Sequence, residues 1–301
     1  MSCRWLVCFG LGLVTTLAAV LPARAQDVTW AGSADLTTGD YYFTETATDL
    51  WISNALTVRI GLLRFDASLP FRFANSDVVT RVGGIPVPTG GSRHSGDVAG
   101  RGGSAGSGGS GEPTGAGATS SPMRDSIDPI TIEEPGSLTV QVADPMFGAG
   151  FDVPTSSGIL TSVRFGVSAK VPARSAESGV GTGEWDVGVG GGVSLAVSRW
   201  YVLLDATWWT LGDLPDLELD DALAYGAAVG GAFGNGSLGW ALSLWGATRM
   251  IDGVDAPTSI GGDLYFNFVS GRSLRLGVRL GLTESAPELG GSVGWSIPLT
   301  T

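Results

Sequence analysis

A two-residue alternation, repeated along most of the chain, restricts its fold more than any other feature. In "SLRLGVRLGL", Ser273 to Leu282, every even position is aliphatic, while Arg275 and Arg279 share the other parity with Gly277 and Gly281. A strand sends successive side chains to opposite faces, so one face is hydrocarbon and the other carries two guanidinium groups. A single such strand fits a half-exposed sheet of a soluble protein. The pattern recurs, however, in "LRFDASLPFRF" (63–73), "SVRFGVSAKV" (162–171), "EWDVGVGGGVSLAVS" (184–198) and "SLGWALSLWG" (237–246). It predicts twelve strands, over 28–40, 50–62, 63–75, 138–152, 158–171, 184–198, 200–211, 221–234, 236–248, 258–269, 272–283 and 289–299.

The connections decide between a soluble sheet and a membrane barrel. Those after even-numbered strands are short, such as "PTSSG", "SR", "GNGS" and "SGR". Those after odd-numbered strands are long: 41–49, 76–137, "PARSAESGVGTGE", "GDLPDLELDD", "RMIDGVDAPT" and "ESAPEL". A meander through a bilayer sorts its loops this way, with short periplasmic turns and longer extracellular loops. The expected fold is therefore all-β, a transmembrane antiparallel up-and-down β-barrel of about 12 strands, with both termini periplasmic. Trp185 and Trp208 on the lipid parity mark the outer interface. Trp200, Phe233, Trp240, Phe268 and Trp295 mark the periplasmic one.

The N-terminus supports export. Arg4, an apolar run over 5–21 and the small-x-small motif Ala23-Arg24-Ala25 read as a signal peptide, residues 1–25, cleaved between Ala25 and Gln26. Both cysteines, Cys3 and Cys8, lie in it, so the barrel of residues 26–301 uses no disulfide. Without the leader the chain has 15 basic and 29 acidic residues, a net charge of −14, which argues against nucleic acid as a partner. The expected partners are outer-membrane lipid, a small-molecule solute and the barrel-assembly machinery.

Residues 76–137 differ in kind. The Gly/Ser-rich tract within them has no apolar periodicity, so it reads as a disordered insertion in the second extracellular loop. The acidic run Asp213, Asp216, Glu218, Asp220 and Asp221 lacks the spacing of a calcium loop and reads as solvated.

The inward parity carries Arg59, Arg64, Arg72, Arg164, Lys170, Arg275 and Arg279 against Asp66, Glu184, Asp186, Asp205 and Asp263. These twelve residues are the expected lumen lining, with a small surplus of cations. They fit an open lumen or one filled by paired charges. No cofactor or metal site is expected, and no enzyme, since His94 in the long loop is the only histidine. "GVGTG" and "GVGGG" have no following helix to make a phosphate loop, and their glycines thin the inner wall instead.

The order of "DASLPFRFANSDVV", "ADPMFGAGFDV", "GVSAKVPARSAESGVGTGEWDVGVGGGVS" and "TLGD" resembles the outer-membrane transporter family labelled as the MetA pathway of phenol degradation. The block from Lys170-Val171-Pro172 to Gly181-Thr182-Gly183 is its most specific part; the chain departs from the family where Ala143-Asp144 stands in place of Gly-Leu-Gly-Asp and where it ends "GWSIPLTT" without a terminal aromatic. The resemblance implies a barrel that passes small molecules, hydrophobic or aromatic ones among them. The alternative is a structural or surface-display barrel whose long extracellular loop binds a partner.

Overall fold

The computed structural model describes residues 26–300, apart from 44–45, 76–78, 90–138, 157, 175–179, 216 and 235. Residues 1–25, read above as a leader, and most of the long second loop therefore lie outside the described residues. Fifteen strands are present among the described residues. They are β1 (Gln26–Gly39), β2 (Ala47–Ile60), β3 (Leu63–Ala74), β4 (Thr80–Val82), β5 (Ile85–Val87), β6 (Thr139–Val142), β7 (Met146–Pro154) and β8 (Leu160–Lys170). They continue as β9 (Asp186–Val197), β10 (Trp200–Thr210), β11 (Ala222–Phe233), β12 (Leu238–Ala247), β13 (Thr258–Asn267), β14 (Ser273–Gly281) and β15 (Leu289–Pro298).

Each barrel strand pairs antiparallel with its sequence neighbour, and β1 pairs with β15 from Thr29↔Pro298 to Thr38↔Leu289. The sheet is thus a closed twelve-strand barrel in which β6 and β7 count as one interrupted strand. The predicted strand over 138–152 breaks at Ala143–Pro145. The break has a chemical cause. Pro145 has no amide proton, and neither does Pro70 on the adjacent β3, so the ladder loses donors there. The Ala143 amide and the Pro145 carbonyl still bond, to the Pro70 carbonyl and the Val171 amide.

The outer surface is an apolar belt. Phe165, Leu242 and Val278 are 59%, 55% and 64% exposed, and Leu204, Ile260, Leu276 and Leu280 join them on the same face. So broad an exposed apolar surface exceeds what soluble monomers carry, and a closed barrel leaves no unpaired backbone inside a bilayer. The alternation assigned to β14 therefore holds: its leucines and Val278 face lipid. Exposed Trp185 and Trp208 ring the long-loop end, and Trp200, Phe233 and Phe268 the short-turn end. There Trp200 meets Trp240 edge-on at 5.3 Å, and Trp30 meets Trp295 at 6.2 Å.

Candidate functional site

The buried core is at the long-loop end of the barrel, and a hairpin made by β4 and β5 lies within it. Gly83 and Gly84 both have positive φ (56° and 82°), as a two-residue turn between twisted strands requires. Val79, Val82, Ile85 and Val87 of this hairpin are buried. They cluster with Tyr41 and Phe43 of the first long loop, with Leu211, Leu214, Leu217 and Leu219 of the acidic loop, and with Met250 and Ile251 of the next. Burial pushes the Tyr41 phenol far up, and that of its neighbour Tyr42 up to about 12. The first part of 76–137 is therefore not the solvated coil expected for it; its remainder, with His94, lies outside the described residues. In the acidic loop Asp213, Glu218, Asp220 and Asp221 are exposed. Its leucines turn inward, while Asp213 accepts the Leu219 amide at 2.8 Å and Asp221 accepts the Leu211 amide at 3.3 Å.

The hairpin runs across the barrel. At its turn, the Gly83 amide donates to Asp186 Oδ2 on β9 (2.9 Å), and Gly83 lies against the Trp209 ring on β10. At its other side, the Arg81 guanidinium stacks over the Trp51 ring of β2 at 4.3 Å. Arg81 also lines a cavity with Asp35 of β1, Ser243 of β12, Asp263 of β13, Arg279 of β14 and Ser292 of β15. Deep burial pulls its pKa down to about 10.

Buried ion pairs fasten this arrangement. The Lys170 ammonium sits 3.0 Å from Asp186 Oδ2 and 3.7 Å from Asp144 Oδ2, and donates to Thr182 Oγ1 at 2.9 Å. Asp186 Oδ1 accepts the Gly212 amide, and Asp144 Oδ1 accepts the amides of Ala173 and Arg174. Lys170 and Thr182, from the block most specific to the family resemblance, thus meet Asp144 in one buried latch. A second buried pair joins Arg72 to Asp49 at 2.7 Å.

Below the hairpin the inner wall is polar. Arg64 bridges Asp66 (2.8 Å) and Asp152 (2.9 Å), and Arg59 reaches Asp152 at 3.4 Å. Arg275 pairs with Asp263 at 3.7 Å. Arg279 lies 6.0 Å from the centre of the Trp245 ring, and neither it, Arg164 nor Asp205 forms an ion pair among the described residues. The wall glycines make room for these groups. A Cβ on Gly226 would stand 2.8 Å from the Asp205 carboxylate, and one on Gly188 would stand 2.9 Å from the Trp209 ring.

No protein-family model matches the chain, and no curated protein sequence does. Similar solved structures include an outer membrane channel from Pseudomonas putida F1, 11% identical, with 93% of this chain and 100% of that chain covered and a TM-score of 0.57. They also include the KdgM porin in complex with disordered oligogalacturonate (6% identical, 91% and 99% covered, TM-score 0.43). A third is the outer membrane phospholipase A from Escherichia coli (12% identical, 91% and 90% covered, TM-score 0.37). The first likeness shows a fold: that of an outer-membrane β-barrel. The phenol-degradation resemblance rests on its motifs alone.

Eleven of the twelve sequence-derived residues lie on barrel strands with the expected parity. Glu184 does not: it precedes β9 and is exposed, because the chain turns at Gly183 (φ 80°) before the strand begins. The interior also holds charges that sequence reading missed, namely Asp35, Asp49, Arg81, Asp144 and Asp152, and they cancel the expected cationic surplus. Asp35, Asp49 and Asp152 share parity with inward neighbours and were readable from it. For Arg81 the available signal was "VGGI", a glycine pair between β-branched residues.

Proposed function

We propose that the chain is an outer-membrane channel for passive passage of small solutes, its long loops outside the cell and its termini in the periplasm. The observation that carries this reading is the polar, charge-lined inner wall of a closed barrel whose outer face is hydrocarbon. A water-filled lumen needs such a wall. The hairpin narrows the outer end and sets which solutes enter. Trp245, half-buried on the inner face, gives that entrance some aromatic surface, whereas Trp51 and Trp209 are buried against the hairpin.

The tight apolar packing around the hairpin is the observation that favours a second reading, a non-conducting barrel that displays its long loop to a partner. Osmotic swelling separates the two. Liposomes containing the refolded full chain should swell in small neutral solutes faster than empty liposomes, with a size cut-off. Swelling no faster than in empty liposomes for every solute would overturn the channel reading and leave the display reading standing.

A further inference from the structure

We propose that Arg81 and Arg279 form a subsite for a small organic carboxylate on the inner side of the hairpin. The two guanidinium groups come from unconnected parts of the chain, the inserted hairpin and β14, yet line one cavity. That space is small and open on one side, enough for a carboxylate group whose organic body stays in the lumen.

The charges around it are unbalanced toward cations. Of the two acids in the lining, Asp263 is paired with Arg275, outside the lining. Asp35 takes the Ser33 hydroxyl at 2.6 Å. Asp49, near Arg81, is committed to Arg72 at 2.7 Å. Arg81 and Arg279 therefore face the space with Asp35 as their only unpaired counter-charge among the described residues. The Arg81 Nε is buried and has no hydrogen-bond partner.

Planar guanidinium groups match the two oxygens of a carboxylate better than they match a spherical ion. Trp245, half-buried beside Arg279, offers ring surface to an organic body, while Trp51 is buried beneath Arg81. Thr37, Ser243 and Ser292 offer hydroxyls in the same lining. The inference deepens the channel reading by naming its solute class, and rests on that reading only for the claim that the bound anion goes on to cross.

The test is calorimetric titration of the folded full chain in detergent with cyclohexanecarboxylate, and with cyclohexanecarboxamide as the uncharged match. Saturable binding of the acid, with none of the amide, is expected. Arg279→Gln should weaken it at least tenfold, and Arg81→Gln likewise, while Arg249→Gln on an outer loop should leave it unchanged. Since Arg81 is part of the buried hairpin, Arg279→Gln, whose side chain opens to the lumen, is the deciding variant. Absence of saturable binding, equal binding of acid and amide, or full affinity in Arg279→Gln would each overturn the subsite. Conductance recorded on the same preparation keeps the two proposals apart. Specific binding without conductance supports the site and defeats the channel, while conductance without binding defeats the site alone.

Discussion

Asp186 does two jobs with two oxygens: it pairs with Lys170 and it accepts the amides of Gly83 and Gly212. Removing one partner of a buried ion pair costs about 3–5 kcal/mol, because the other charge stays buried. Asp186→Ala should therefore lower the urea unfolding midpoint markedly and expose Arg81 to trypsin. Asp205→Asn should shift stability by no more than about 0.5 kcal/mol, since Asp205 is exposed in the lumen without an ion pair. An unchanged midpoint in Asp186→Ala would show that the latch holds nothing. The face on which each of these residues lies was legible, since parity along a strand fixes it. Their partners were not. Parity says nothing of depth or of neighbours around a barrel, and Lys170 meets Asp144 and Asp186 only once three strands have closed together.

Among elements, β12 gives the clearest contrast. Leu242 is on the lipid face, and Ser243 next to it lines the interior cavity. A cation near the bilayer midplane on the lipid face of a barrel costs about 2–4 kcal/mol. Leu242→Arg should lose that much unfolding free energy in lipid vesicles, and Ser243→Arg much less. Equal losses would mean that the two faces do not differ in solvent. Strands such as β9 to β14 were legible because lipid forces one whole parity to be apolar. The break between β6 and β7 coincides with a change of outward parity, from Val140 and Val142 to Phe147 and Phe151, and with a one-residue shift in pairing to β3, which a single unbroken strand over 138–152 overlooks. The hairpin was hidden for another reason. Its two strands are only three residues each and carry the first residues of a segment dominated by glycine and serine.

The molecule as a whole is a barrel closed by twelve strands, with its loops sorted by length between two ends and an apolar cap at the long-loop end. That sorting implies which end faces out. Trypsin added to intact cells should cut at Arg93, Arg101 or Arg124 and leave the barrel whole, and cutting only after the outer membrane is permeabilised would reverse the topology. Barrel, strand number and facing were readable from the chain because closure and lipid constrain every residue of a spanning strand. The hairpin seated in the lumen obeys no such period, and it is the part that bears most on function. Single-channel recording of the refolded chain beside a variant in which residues 79–89 are replaced by a short Gly-Ser link tests the central claim, a conduit narrowed by its own hairpin. The full chain should give small unitary currents and the variant clearly larger ones. Silent bilayers from both, with each protein shown to be folded, would contradict it.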